Sequence, residues 1–349
     1  MNEFIRKYLT LISTVIVLFI AAGFFIVYNL NQNNELPDLK VAEKVSYKIT
    51  VIAKSESNPT YKITKKGAED AAEMITKEFG IKTIIEWKKP YNENPSRQAE
   101  NIINAVKSGT NAILLSASDS KEIISAVNYA AENGVSVMTF DSDVPGSKRF
   151  CFYGLNDMKA GENLIDELAE SIDSEGQVAV LAGNRFAVNL KERVKGIILR
   201  VKQKYPKINI IGVYNNIENP QDASGVVIDV NKKHPELKGW AMAGGWALYD
   251  ETLLKTLKGS KMKIVAINAI PIQFRYIEAG ISPCLLAQLN YKWGYVGIST
   301  IIEKIHFKEE LPSFIEMDLY RVTKSNMGDW ARILFDWGYE DIPVKYLKL

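Results

Sequence analysis

Six places in this sequence join the end of a short apolar run to side chains that can hold a small polar ligand. Lys54, Asn58 and Tyr61 follow the first run, and Asp141-Ser-Asp143 follows another. Asn189, with Arg193 four residues on, comes after Gln177–Ala182. Trp246 comes after Gly239–Met242, Asn268 after Met262–Ile267, and Gln288 after Pro283–Ala287. Asp, Asn, Gln, Arg and Lys offer planar or charged hydrogen-bonding groups, several of them bidentate. Trp and Tyr offer flat apolar faces. A ring of hydroxyls around a C–H face needs both, and an apolar pocket with a few converging polar groups is the general form of a small-ligand site. Taken alone, an Asp at a strand end is as readily a helix cap. Recurrence at six strand ends is what points to a site.

Other chemistries find little support. The sequence has no G-x-S-x-G, no G-x-G-x-x-G after the first strand and no G-x-x-x-x-G-K-[ST]. Asp141 and Asp143 form a carboxylate pair on paper, but neighbours two apart on a loop tend to split between ligand contact and capping. Neither histidine, His234 or His306, lies near a strand end to serve as general base. Cys151 and Cys284 lack metal-ligand spacing. They read as two buried thiols, with a single disulfide left open, and two cysteines are too few for a disulfide-built fold. A binding protein that is not an enzyme, with no metal and no cofactor, is the expectation. Lys+Arg number 43 against Asp+Glu 41, a net charge of +2, so no basic field for nucleic acid is present.

The elements that position these residues alternate strand and helix. Tyr47–Lys54, Thr83–Trp87, Asn111–Leu115 and Val135–Phe140 read as strands, separated by helices over Lys62–Phe79, Pro95–Lys107 and Ser120–Asn133. A second series runs through helices over Ala160–Ser171, Asn189–Tyr205, Asp222–His234 and Ala247–Leu257. Its strands are Gln177–Ala182, Ile208–Tyr214, Gly239–Met242 and Met262–Ile267. Short, nearly all-apolar strands imply parallel sheets covered on both faces. Repeated β-α-β units give two doubly wound α/β domains in tandem, whose ligands bind beyond the carboxyl ends of the strands.

Tyr8–Leu30 carries no charged residue, and at about 1.5 Å per residue it spans a ~30 Å hydrocarbon core. Arg6 and Lys7 before it place the N-terminus inside. The expectation is a single-pass anchor over residues 1–30, a polar linker over 31–45 and an exported remainder. Cleavage near Ala21-Ala22-Gly23 is the alternative.

Several stretches together resemble the type I periplasmic sugar-binding proteins, the ribose-binding-protein group. They are Asn58-Pro-Thr-Tyr61, Gly109 to Ser120, Val135 to Asp143, Asn189 to Gly196, Ile267-Asn-Ala-Ile-Pro271 and Leu286-Ala-Gln288. The resemblance implies two Rossmann-like lobes joined by three crossover strands, with the ligand between them. Residues 46–154 plus about 289–318 would form the first lobe, and 155–288 plus about 319–349 the second. It also implies that Asp141 holds ring hydroxyls, that Asn189 and Arg193 reach in from the second lobe, and that Gln288 lies on a hinge strand. Tyr61 would stand where the family stacks an aromatic ring. Asn268 replaces the family's usual Asp, and Trp246 stands where ribose binders carry an Asn. Lys54 resembles a lysine of the autoinducer-2 binders, which leaves a branched polyol open. The uncleaved anchor is similar to that of membrane-anchored xylose sensors paired with a LytS-type histidine kinase. The implied ligand is a pentose such as D-xylose, or a hexose. The implied membrane partner is a sensor histidine kinase or, alternatively, an ABC permease.

Overall fold

The computed structural model describes residues 45–55, 58–88, 90 and 92–349. The expected anchor over Tyr8–Leu30 lies outside the described residues. The chain divides into a unit of residues 1–45 and a unit of residues 46–349, and the fold is that of the second. Among the described residues no helix is long and apolar enough to cross a membrane.

Strands β1 (Ser46–Ile52), β2 (Lys82–Lys88), β3 (Ala112–Leu115), β4 (Ser136–Phe140), β5 (Cys151–Gly154) and β11 (Phe314–Glu316) make a six-stranded sheet. Their order is β11-β5-β4-β3-β1-β2 and every neighbouring pair is parallel. All four residues of β3 and of β5 are buried, as strands covered on both faces require. A second parallel sheet has the order β7-β6-β8-β9, from β6 (Gly176–Gly183), β7 (Ile208–Asn215), β8 (Leu237–Met242) and β9 (Lys263–Ala266). Beside it β10 (Leu285–Ala287) pairs antiparallel with β12 (Tyr320–Val322), and Ile267 bridges Leu286. The chain passes between the two layers three times: after β5, after β10, and between β11 and β12.

Local signals set the helix starts. Asn94 caps α2 (Pro95–Lys107) by accepting from the Arg97 amide at 2.8 Å, with Pro95 at the first helical position. Asp119, Asn156 and Asn219 cap α3 (Ser120–Glu132), α4 (Asp157–Ser171) and α6 (Pro220–Lys233) in the same way. Helix α1 (Thr60–Phe79) ends at Gly80, whose φ of 68° suits glycine. Helix α4 packs against α5 (Val188–Lys204) at backbone contact. A Cβ on Gly161 would lie 2.0 Å from the Arg193 carbonyl oxygen, and one on Gly196 would lie 2.0 Å from that of Met158. This contact brings Asp157, at the start of α4, within reach of Arg193.

Several elements differ from the sequence expectation, which named no helix over Asn290–Ile302 or Met327–Asp336 and no strand at Phe314–Glu316 or Tyr320–Val322. Cys151–Gly154 is a strand, although its Phe-Tyr-Gly run carries no alternation to announce it. The helix expected over Ala247–Leu257 is broken into a 3₁₀ turn, Trp246–Tyr249, and helix α7, Glu251–Leu257. Asp250 sits between them in extended conformation and accepts from the Thr252 amide at 2.9 Å, so its side chain starts a new helix instead of continuing the old one.

Candidate functional site

Nine residues singled out from the sequence, Lys54, Asn58, Tyr61, Asp141, Asn189, Arg193, Trp246, Asn268 and Gln288, line one cavity between the carboxyl ends of the two parallel sheets. Asp141 is its hub. It follows β4 with φ 58°, a left-handed conformation that Asp tolerates better than most residues. Its Oδ2 accepts from Tyr61 Oη at 3.1 Å and Ser116 Oγ at 2.9 Å, and faces Lys54 Nζ at 3.4 Å. Its Oδ1 accepts from Asn189 Nδ2 at 3.2 Å, a contact across the cleft. Burial disfavours the Lys54 ammonium, but Asp141, with Glu218 and Glu93 behind it, outweighs that and holds its pKa above the ordinary lysine value. Burial next to Asp141 also raises Tyr61, which stays a neutral donor.

Tyr61 is buried, and its ring lies 6.2 Å from Trp293 and meets Phe140 edge-on at 6.3 Å. Its phenol positions Asp141 while its ring joins an aromatic wall. Asn58 accepts from the Thr60 amide and hydroxyl at 3.1 and 2.7 Å, so its Oδ1 is taken up in starting α1.

A second network comes from the other sheet. Arg193 Nε donates to Asp157 Oδ1 at 2.8 Å, Nη1 to the Ala243 carbonyl at 2.8 Å, and Nη2 to Gln288 Oε1 at 3.2 Å. Gln288 Nε2 then donates to Asn268 Oδ1 at 3.1 Å. Asn268, like Asp141, follows its strand in left-handed conformation, with φ 79°. Burial pushes the Asp157 carboxyl up to about 6, despite the opposing pull of Arg193. Trp246 wedges its indole against two glycines. A Cβ at Gly183 or Gly244 would fall 2.6 or 2.2 Å from its Cη2, so only glycine leaves room.

Asp143 turns away from the cavity. It accepts from Thr139 Oγ1 at 2.6 Å and the Val144 amide at 2.7 Å, and it pairs with Arg149. The two carboxylates of the Asp-Ser-Asp loop therefore do separate work, one in the cavity wall and one in holding the loop. Cys151 and Cys284 are both free and buried; burial pushes the Cys151 thiol up to about 11 and raises Cys284 further. Among the described residues no cluster of His, Cys, Asp and Glu could hold a metal.

The sequence reading missed Ser116, Asp157 and Glu218, and it noted Trp293 beyond the Pro283–Ala287 strand without assigning it to the site. Trp293 and Glu218 line the cavity, while Ser116 and Asp157 hold Asp141 and Arg193 in place. Glu218 lies in the loop after β7, the one strand end of the second sheet that the strand-end reading passed over. The space left among these side chains is about 20 Å³, room for roughly one water. The walls therefore meet each other, and a larger ligand needs them to part.

The profile of the family described as periplasmic binding protein domain matches residues 49–309. The chain belongs to that family. It is 28% identical over 153 residues to the ribose import binding protein of Bacillus subtilis, a match that covers 44% of this chain and 48% of that protein. The chain thus spans about half the length of that relative. It is 23% identical over 223 residues to the D-apiose import binding protein of Paraburkholderia graminis, covering 63% of this chain and 69% of the relative. Among solved structures, an ABC transporter solute binding protein from Burkholderia graminis in complex with D-arabinose matches with TM-score 0.75 at 25% identity. That match covers 82% of this chain and 98% of the other. The XylFII–LytSN complex matches with TM-score 0.71 at 22% identity, over 80% and 99%. These relatives are binding proteins, not enzymes, and the shared architecture is the type I periplasmic binding protein fold.

Proposed function

We propose that this protein binds a monosaccharide, a pentose such as D-xylose or a hexose, outside the cytoplasm. Residues 46–154 with about 289–318 act as one lobe, and 155–288 with about 319–349 as the other. The observation that carries this reading is the Asp141–Asn189 contact, one hydrogen bond that ties the end of the six-stranded sheet to helix α5 across the cavity. In the bound state ring hydroxyls stand between Asp141, Lys54 and Asn58 on one side and Asn189, Arg193, Asn268 and Gln288 on the other. Tyr61, Trp246 and Trp293 supply the apolar faces. The ligand shifts the population toward the closed arrangement because only that arrangement touches it from both sides. Sugar-bound or sugar-named relatives support the ligand class.

Tyr8–Leu30 serves as a single-pass anchor, and closure is read by a membrane partner, a sensor histidine kinase. The fold shared with the XylFII–LytSN complex supports this choice. The second reading, the binding component of a sugar ABC importer, is favoured by the import binding proteins among the relatives. A thermal-shift screen with pentoses, hexoses and polyols tests the ligand class, since a bound sugar raises apparent stability by mass action. No shift with any of them at millimolar concentration overturns it.

A further inference from the structure

The cavity wall holds two ion pairs, Lys54 with Asp141 and Arg193 with Asp157. Glu218 belongs to neither. It lines the same cavity, its Oε1 is buried, and that atom has no hydrogen-bond partner. Glu93, on the loop before α2, stands against it from the opposite side and accepts from Asn184 Nδ2 at 2.7 Å. Two indoles line the cavity too. Trp246 and Trp293 are 4% and 2% exposed, and their Nε1 donors also lack partners. The other charged or titratable groups around Glu218 are already engaged or cannot help. Lys54 faces Asp141 and is drawn by Glu218 and Glu93 as well, Tyr249 is neutral, and Asp222 accepts from the Ile217 amide at 2.7 Å. When the walls part, both carboxylates face water and repel little. When the walls meet, Glu218 and Glu93 are pressed together out of water with only the Lys54 ammonium, already shared with Asp141, to offset them, which leaves buried negative charge in excess.

We propose that Glu218 and Glu93 form a cation-requiring subsite, so that the cleft shuts when one positive charge is delivered there, by an ammonium substituent on a polyhydroxylated ligand or by a proton. The proposal rests on the reading of this cavity as a sugar site. Burial, then the nearby Glu93 carboxylate, pushes Glu218 up to about 8 in the closed arrangement, against about 4.3 for a carboxyl in water. The sign follows. If a proton is the source, closure takes one up, so affinity for a neutral sugar is highest in acid. It falls by at most about tenfold per pH unit between about pH 5 and about pH 8, and is flat above.

Calorimetric titration of the full chain with D-xylose, D-glucose and D-glucosamine, in two buffers of different ionisation heat from pH 5.5 to 8.5, separates the two sources. Delivery by the ligand predicts D-glucosamine at least tenfold tighter than D-glucose, without proton uptake. Delivery by a proton predicts a neutral sugar that binds with uptake of about one proton and weakens as pH rises. In either case Glu218→Gln removes the behaviour, and Glu93→Gln provides the same test from the other wall. A neutral sugar that binds with no proton uptake, equal affinity across the range and no preference for the amine overturns the proposal while leaving the sugar reading standing. A chain that binds no sugar at any pH overturns both.

Discussion

Replacing Asp141 by Asn keeps the shape of the side chain and removes its charge, which makes it the sharpest test of the hub. Lys54 is 3% exposed and its ammonium faces Asp141 at 3.4 Å. Breaking a buried pair by neutralising one member typically costs about 3–5 kcal/mol. Lys54 can relieve part of that cost by losing its proton, a relief that grows by at most about 1.36 kcal/mol per pH unit, so the loss at pH 9 is smaller than at pH 7 by at most about 2.7 kcal/mol. Glu218 and Glu93 still offer Lys54 some attraction, which places the expected loss near ~3 kcal/mol at pH 7 and no larger at pH 9. In the wild type the sign is simple. A lysine whose folded pKa lies above its unfolded value contributes stability that is fully present below about pH 10. Urea denaturation at the two pH values, with the m-value unchanged, measures both losses. Adding Lys54→Met to Asp141→Asn should recover part of the stability, since no stranded charge remains. A loss under about 1 kcal/mol at pH 7, a loss larger at pH 9 than at pH 7, or a double variant that is simply additive refutes the assignment of Asp141 as counter-charge to Lys54.

Three further outcomes follow from the same geometry. Arg193→Ala strands Asp157, the Ala243 carbonyl and Gln288 and should weaken sugar binding by about 2 kcal/mol or more, roughly thirtyfold, by calorimetry. Arg193→Lys should not restore it, because a single ammonium cannot reach three acceptors spread around a guanidinium. Gly161→Ala drives a Cβ to 2.0 Å from the Arg193 carbonyl oxygen and should lower unfolding stability by about 1–3 kcal/mol or more; an unchanged urea midpoint would show that α4 and α5 pack less closely. Cys151 and Cys284 are buried thiols held protonated by burial, so a thiol reagent at pH 8 should label neither before unfolding and both after it. Fast labelling of the native chain would contradict their burial.

What the sequence discloses, and what it hides, depends on whether a residue's role differs from the ordinary role of its type. Asp141, Asn268 and Gln288 were legible because they follow short strands made mostly of apolar residues, so a polar group there interrupts a clear pattern. Their left-handed φ at 141 and 268 was not legible, because Asp and Asn at strand ends serve equally as caps. Glu218 follows β7, the edge strand of its sheet, whose burial is mixed along its length. The end of that strand was read to within one residue, but Glu218 stands three residues past it beside Asn219-Pro220, which reads as an ordinary helix start and also is one. Asp157 was hidden for a similar reason: an acid in the first turn of a helix suits the helix dipole and needs no further explanation. Only the close packing of Gly161 and Gly196, a contact between helices that local pattern does not carry, turns that acid toward Arg193. Trp246 shows the same ambiguity in its neighbours. Gly244-Gly245 before it reads as a turn, yet Gly244, with Gly183 from another strand, makes the space its indole fills. The residues that complete this site are therefore those with a sufficient local reason to be where they are, and tertiary packing gives them their second role.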